Sequence, residues 1–184
     1  RAEVERFEAF IAGPETLAVE IGFDHGHRLL DCARRWPQTR WLGLEVRKAQ
    51  VEALAAQAPP NLLAWRADAR TVFAALMPPG RVDRIDVLFP TPWWDEGKRA
   101  KRLLLTVESV ADLGRSLRPG GVVQVATDVG PYFEHVAGLF AGWQGADPPP
   151  SGSVLSRRER VCQRDGLPVW RGCWRLPETS PVAR

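Results

Sequence analysis

The sequence lacks any apolar run near the length of a membrane-spanning helix. Such a helix needs about 20 consecutive apolar residues, and the apolar runs here are far shorter. No signal-peptide pattern is visible either, so we expect a protein of the cytoplasm without a membrane partner. The chain begins at Arg1 rather than at methionine, and we therefore expect that residues are missing from its N-terminus.

Cysteine is also scarce, and its spacing argues against two kinds of site. The three cysteines, Cys32, Cys162 and Cys173, are odd in number and form no C-x-x-C pair. Neither a disulfide framework nor a zinc site is indicated. His25 and His27 stand two residues apart without further ligand residues, which is more typical of structural histidines than of a metal centre. We expect no bound metal.

The excess of positive charge is small, at +3 for the whole chain, but it is concentrated in two clusters. Residues 98–102 contain four cations, and residues 156–175 contain six arginines against two acids. Tryptophans accompany both clusters, namely Trp93 and Trp94 in the first case and Trp170 and Trp174 in the second. A single charged run is usually a solvated face, but two clusters with adjacent aromatic rings favour a nucleic-acid surface.

Short apolar runs alternate with amphipathic stretches along most of the chain. The apolar runs predict strands at residues 17–21, 40–44, 61–66, 84–89 and 122–127. The stretches between and after them predict helices at residues 28–36, 48–57, 69–77, 106–117 and 132–140. This alternation is typical of a mainly parallel sheet covered by helices on both faces.

The C-terminal part departs from this alternation. Residues 145–152 are rich in proline and glycine and predict a linker or an exposed loop. Beyond them, Asp165-Gly166 separates two strand-like segments, 159–163 and 168–176, and this arrangement predicts an antiparallel hairpin.

The length of the chain suits one domain with a full core, and no internal repeat is visible. We expect a single domain over residues 1–184, with an N-terminal segment at 1–16 and a flexible tail at 177–184.

The first predicted strand runs directly into a glycine-containing turn. In LAVEIGFDHGH, Gly22 and Gly26 enclose three residues before a helix begins. Glycine lets a backbone turn tightly and approach a ligand closely, and this turn is the usual ligand position in doubly wound sheets. The spacing is not the dinucleotide G-x-G-x-x-G, so the turn alone fits a nucleoside-type cofactor and an ordinary tight turn equally well.

Carboxylates follow the next two predicted strands. Glu45 ends the second strand in WLGLEVRK, and Asp68 ends the third in AWRADAR. Either acid could simply cap the helix that follows. Acids after successive strands, beside a glycine turn, favour a binding edge for adenosine. A phosphate-rich ligand is disfavoured because carboxylates repel phosphate and no P-loop lysine is present.

The fourth predicted strand ends in an unusual stretch, DVLFPTPWWDEGKRAKRLL. Its apolar run stops at two prolines, which are followed by Trp93, Trp94 and the first cation cluster. This edge lies across from the glycine turn, where a substrate is expected. Trp93 suits either stacking on an extruded base or burial at the sheet edge, and Trp94 is the better candidate for exposure. The fifth strand ends at Asp128.

These segments resemble, in the same order, the motifs of the bacterial tRNA (guanine-N7)-methyltransferases. The matching segments are EIGF..G, GLEVRK, AD, VDRIDVLFPTPW, KRLL, LRPGG and ATDV, within roughly residues 17–176. The resemblance implies an α/β, Rossmann-like class I methyltransferase fold, with a mainly parallel seven-stranded sheet and a C-terminal antiparallel hairpin. It also implies S-adenosylmethionine as cofactor and tRNA as substrate.

The resemblance further implies roles for individual residues. On the cofactor side it implies Glu20, Gly22 and Gly26 at the methionine end, Glu45 at the ribose, Asp68 and Ala69 at the adenine, and Phe89 beside them. On the substrate side it implies Thr91, Trp93, Lys98, Lys101, Arg102, Asp128, Ser156 and Glu159. Asp128 and Thr91 occupy the candidate catalytic positions, and Asp128 matches an acid associated with guanine placement.

Several positions depart from the family's pattern. Asp24 stands where the family usually has a second glycine, and Thr91 replaces the aspartate of P-D-P-W. Lys98 and Lys101 stand at a histidine and an arginine of the following loop. Threonine is shorter than aspartate and neutral, so we expect altered guanine recognition, compensated by the other acids of the substrate edge.

The leading interpretation is therefore a tRNA (guanine-N7)-methyltransferase, either a monomer or a homodimer. Guanine N7 has a free lone pair and carries no proton, so its methylation needs no general base and can rest on orientation. The cations of residues 98–102 are predicted to contact tRNA phosphates. The departures leave two other interpretations open: a paralogue that binds RNA or cofactor without this activity, and a methyltransferase for another substrate.

Overall fold

The computed structural model describes residues 2–91 and 103–176. Its strands are β1 Leu17–Ile21, β2 Arg40–Glu45, β3 Leu62–Arg66, β4 Val82–Leu88, β5 Leu117–Thr127, β6 Gln144–Gly145 and β7 Trp170–Arg175. Its helices are α1 Ala2–Ile11, α2 His27–Arg35, α3 Lys48–Ala55, α4 Ala69–Thr71, α5 Val107–Ser116, α6 Gly130–Leu139 and α7 Arg157–Asp165. Within these two ranges, no helix is long and apolar enough to cross a membrane.

The strands form one seven-stranded sheet in the order β3-β2-β1-β4-β5-β7-β6. Strands β1 to β5 run parallel, whereas β7 is antiparallel to both β5 and β6. The mainly parallel sheet with antiparallel C-terminal strands is thus confirmed. The strand order reverses between β1 and β4, and a crevice opens at such a point because the chain leaves the two strands in opposite directions.

Apolar clusters cover both faces of the sheet. On one face, α1 contributes Phe7, whose ring stacks on Trp65 of β3 at a centroid distance of 4.3 Å. On the other face, α2 and α3 bury Leu29 and Leu54 against Trp41. Burying a large apolar side chain stabilises the fold by about 1.5–3 kcal/mol. The sheet is therefore a rigid base for the loops at its carboxyl edge.

The strand predicted at residues 159–163 is wrong, because these residues belong to α7. Ser156 caps this helix by accepting a hydrogen bond of 3.2 Å from the amide three residues later. Gly166 ends it in the left-handed conformation, with φ of 65°. The Asp-Gly pair is thus a helix terminus of the kind that favours glycine, and β7 finds its partners in β5 and β6 instead.

Two smaller differences concern the ends of elements. The helix predicted at residues 69–77 begins as α4 and continues as a π-helical turn over Val72–Leu76. Residues 118–121, which separate the helix predicted at 106–117 from the strand predicted at 122–127, lie inside β5, whose register with β4 is irregular between Val82 and Arg84. Neither difference moves the carboxyl edge of the sheet.

Candidate active site

A cleft of about 930 Å³ opens at the carboxyl ends of the parallel strands, where the strand order reverses. It collects the turns after β1, β2, β3, β4 and β5 and the first turn of α7. The sequence-predicted residues that line it are Glu20, Gly22, Gly26, Glu45, Asp68, Ala69, Phe89, Thr91, Asp128 and Ser156. Residues from both predicted sides of the site therefore share one cavity.

Five predicted site residues remain. Four of these five lie outside the described residues, namely Trp93, Lys98, Lys101 and Arg102. Trp94 and Arg99 lie outside them as well. Glu159 is described, but it is buried and forms an ion pair with Arg171 of β7. Its proposed contact with substrate stays a prediction.

The turn after β1 contains three residues with positive φ. Gly22 and Gly26 have φ of 74° and 71°, and Asp24 has φ of 52°. A Cβ added at Gly22 would meet nothing within 4 Å, whereas one at Gly26 would lie 2.6 Å from Leu54. Gly22 therefore leaves open space for a ligand, and Gly26 is needed for packing. Aspartate tolerates the left-handed region better than most residues, so Asp24 adopts this conformation at a lower cost than most side chains would.

Phe89, at the end of β4, also has a positive φ. Its φ is 49°, which is unusual for a bulky side chain. Its amide donates a 2.7 Å hydrogen bond to the carbonyl of Ala126 in β5. The bond fixes the point at which the chain turns out of the sheet toward Thr91.

Glu45 is buried and held by an array of hydrogen bonds. Its Oε1 accepts from the amides of Val46 and Arg47 at 2.9 and 3.0 Å, and from Nε of Arg47 at 3.2 Å. Its Oε2 accepts from Nη2 of Arg47 at 3.1 Å and from the amide of Asp24 at 3.3 Å. Burial, the largest single influence, opposes ionisation, but together the bonds from Arg47 and these amides hold the pKa of Glu45 below its ordinary value. Glu45 is thus an ionised acceptor.

Asp68 was considered from the sequence both as a helix cap and as part of a binding edge, and its contacts allow both roles. It caps α4 by accepting from the amide of Arg70 at 2.9 Å, and its other oxygen accepts from Nη2 of Arg70 at 2.7 Å. The hydrogen bond from the Arg70 side chain is the main reason that the pKa of Asp68 lies below its ordinary value. The same carboxylate lines the cleft, so capping does not exclude ligand binding.

A buried charge network lies beneath the glycine turn, and sequence reasoning missed its basic members. Arg28 donates to Glu20 at 2.6 Å, to Asp86 of β4 at 3.0 Å and to the carbonyl of Val154 at 2.9 Å. Arg84 donates to Asp86 at 2.7 Å. Desolvation raises the pKa of Glu20, and the charge of Arg28 opposes this. Acids inside the apolar strands LAVEI and RIDVL were the available signal, because buried charges need partners.

On the substrate side, the first turn of α7 brings two arginines to the cleft. Arg158 contacts Oδ2 of Asp128 through Nε at 3.0 Å and through Nη2. Arg157 extends the other way, with Nη1 4.0 Å from Asp24. Thr91 is exposed at the end of β4. The cleft therefore has an acid-and-arginine pair on the side where a substrate base is expected.

In the part of the chain that the structure describes, no group of three or more histidine, cysteine or acidic side chains could hold a metal ion. The His25 and His27 rings stack on each other at 5.9 Å. Burial raises the pKa of the Cys32 thiol to about 12, which makes it a poor nucleophile. The charged side chains that line the cleft are carboxylates and arginines.

Comparisons with known proteins bear on the family of this chain. The family model described as "Putative methyltransferase" matches residues 14–170. The tRNA (guanine-N(7)-)-methyltransferase of Pseudomonas putida is 33% identical over 172 residues, covering 86% of this chain and 70% of that protein. The enzyme of the same name from Cronobacter sakazakii is 30% identical over 183 residues, covering 92% of this chain and 76% of that protein.

Solved structures confirm the fold. The 16S rRNA methyltransferase KamB has a TM-score of 0.66 at 22% identity, covering 94% of this chain and 93% of that chain. The aminoglycoside resistance methyltransferase NpmB1 has a TM-score of 0.61 at 20% identity over the same shares of the two chains. At these identities the likeness concerns the class I methyltransferase fold alone. The family match and the identity to curated relatives go further, and the chain belongs to the family of the tRNA (guanine-N7)-methyltransferases.

Proposed function

We propose that the protein is an S-adenosylmethionine-dependent methyltransferase that forms N7-methylguanine in tRNA. The observation that carries this proposal is the single cleft in which the acids after β1, β2 and β3 face the turns after β4 and β5. Family membership supports the same activity. A tRNA substrate also supports a place in the cytoplasm.

The cofactor side of the cleft fits S-adenosylmethionine. The open space at Gly22 suits a close ligand approach, and ionised Glu45 suits the hydroxyls of a ribose. Asp68 and Ala69 would hold the adenine, while Glu20 and Gly26 lie toward the methionine end. When bound, the cofactor supplies a methyl group on a positively charged sulfur.

The substrate side supplies recognition and orientation. Asp128 is an acceptor suited to the N1–H and the exocyclic amine of guanine, and Arg158 fixes the direction of its carboxylate. Guanine N7 keeps its lone pair free for the new bond, and no proton has to leave it. Thr91 offers a hydroxyl in place of the family's carboxylate, so Asp128 takes the larger share of the selectivity for guanine.

The rim of the cleft suits a polyanion. The side chains of Arg70, Arg157 and Arg158 are each close to half exposed or more, and all three line the cleft. Arginines in such positions bind phosphates without reading sequence. The predicted cations of residues 98–102, which lie outside the described residues, follow the same edge in the sequence.

The test is methyl transfer from labelled S-adenosylmethionine to tRNA transcripts made with either guanosine or 7-deazaguanosine. We expect label only in the guanosine transcript, because 7-deazaguanine has a carbon at position 7. Equal labelling of both transcripts would contradict N7 as the acceptor. Binding of S-adenosylhomocysteine without any labelling would instead favour a paralogue that lacks this activity. The observation behind that alternative is Thr91, which stands where the family has an aspartate.

A further inference from the structure

Arg47 is shared between two acids that belong to different turns of the cleft. Its Nη2 lies 3.1 Å from Oε2 of Glu45, at the end of β2, and 2.9 Å from Oδ1 of Asp24, in the turn after β1. Its Nε makes a further contact of 3.2 Å with Oε1 of Glu45. The guanidinium therefore joins the proposed ribose acid to the residue that replaces the family's second glycine.

The Glu45 carboxylate is already saturated in this arrangement. It accepts five hydrogen bonds, three from backbone amides and two from the Arg47 side chain. A carboxylate offers about four acceptor sites. The hydroxyls of a ribose can bind Glu45 only if some of these donors leave, and the amides are fixed by the turns that carry them.

The Arg47 side chain is the donor that can leave. It is half exposed, so it can turn without disturbing the core. An arginine that leaves one carboxylate loses a charge-assisted bond, which is among the stronger hydrogen bonds in proteins. Asp24 compensates for the bond that Arg47 loses on leaving Glu45, because it already accepts a hydrogen bond from Nη2 of Arg47 and is itself nearly half exposed.

We propose that Asp24 is a positioning residue for the cofactor, which keeps Arg47 bound when the ribose hydroxyls take its place on Glu45. This inference rests on the proposed cofactor. Asp24 acts on the cofactor through Arg47, and the left-handed backbone of Asp24, with φ of 52°, sets its carboxylate beside the guanidinium. His25 and Arg157 lie 3.8 and 4.0 Å from the other Asp24 oxygen and leave Oδ1 to Arg47.

The experiment is a double-mutant cycle measured by calorimetric binding of S-adenosylhomocysteine. Asp24→Asn keeps the size of the side chain and tolerates positive φ, and Asp24→Gly restores the residue usual in the family. We expect each to weaken binding about fivefold, the scale of one exposed ion pair. In an Arg47→Ala background, the same Asp24 substitutions should change the dissociation constant by less than about twofold, because the partner is absent.

A second ligand separates this role from a direct contact with the amino-acid end of the cofactor. Methylthioadenosine has the ribose and adenine but no amino-acid group, and we expect the same coupling between Asp24 and Arg47 with it. An Asp24 effect that vanishes with methylthioadenosine, or that persists in Arg47→Ala, would overturn the inference.

Binding of S-adenosylhomocysteine by the unmodified protein distinguishes failure of this inference from failure of the proposed function. If it binds S-adenosylhomocysteine and Asp24→Asn binds equally well, the inference fails and the proposed function stands. If the unmodified protein does not bind S-adenosylhomocysteine, both fail. Thermal unfolding of each variant provides the check that the fold is intact.

Discussion

At the scale of single residues, the cleft is built from carboxylates that arginines of nearby turns hold in place. Glu45 is held by Arg47, and Asp128 by Arg158. Such pairs fix the direction of each carboxylate through charge-assisted hydrogen bonds. Substituting one acid should therefore change one recognition step and leave the others intact.

Asp128→Asn should lower kcat/KM for tRNA about 10- to 100-fold, the range expected when hydrogen bonds to a charged group are removed. The affinity for S-adenosylhomocysteine should be unchanged, because Asp128 lies on the substrate side. Asp147→Asn is a matched control, since Asp147 is exposed in the loop after β6. Equal activity of the two variants would argue against a role for Asp128 in binding guanine.

Glu45→Gln should change how stability depends on pH. The pKa of Glu45 is lowered in the folded protein, so its ion pair stabilises the fold above the ordinary glutamate pKa. That contribution is lost as pH falls through the lowered folded value. Urea unfolding should give a lower free energy of unfolding for the variant than for the unmodified protein at pH 7. This gap in free energy should close progressively below about pH 4.5. A gap that is independent of pH would show that Glu45 acts through packing rather than charge.

At the scale of elements, α2 is fastened to the sheet by charge as well as by apolar packing. Arg28, on its first turn, is buried and pairs with acids of both β1 and β4. These strands flank the point where the strand order reverses. The network therefore ties the glycine turn to both sides of the crevice.

Arg28→Met should destabilise the protein by about 3–5 kcal/mol, because it leaves Glu20 and Asp86 buried without this partner. The measurement is urea unfolding at pH 7. Arg34→Met, on the exposed face of the same helix, should change stability by less than about 0.5 kcal/mol. A small effect at Arg28 would mean that Arg84 alone neutralises the two acids.

At the scale of the whole molecule, the parallel sheet was predictable because each buried strand reads as an apolar run between helix-like stretches. The strand predicted at residues 159–163 was wrong for a physical reason. The segment RRERVCQRD is too polar for its apolar spacing to indicate a helix, and the acid that it buries, Glu159, is paired with Arg171 of β7. The predicted residues that line the cleft followed from their sequence motifs and from the family resemblance. Their arginine partners did not, since the contact between Arg158 and Asp128 joins segments 30 residues apart.

The charge of the molecule should set how its RNA affinity depends on salt. Alanine at Lys98, Arg99, Lys101 and Arg102 should weaken tRNA binding and flatten the plot of log affinity against log salt, by about 0.7–0.9 for each phosphate that the variant no longer neutralises. Arg34→Ala with Arg35→Ala, on the exposed side of α2, should leave the slope unchanged. An unaltered slope in the four-residue variant would show that these cations do not contact RNA.

The reversal of strand order between β1 and β4 also bears on how such an enzyme can change during evolution. Strands β1 to β3 and the turns after them carry the residues proposed for the cofactor apart from Phe89, and the turns after β4 and β5 carry Thr91 and Asp128, which are proposed for substrate. Substitutions on one half can therefore accumulate without loss of the other. Thr91 follows β4, on the half proposed for substrate, so the choice of nucleic acid can drift while the methyl donor stays the same.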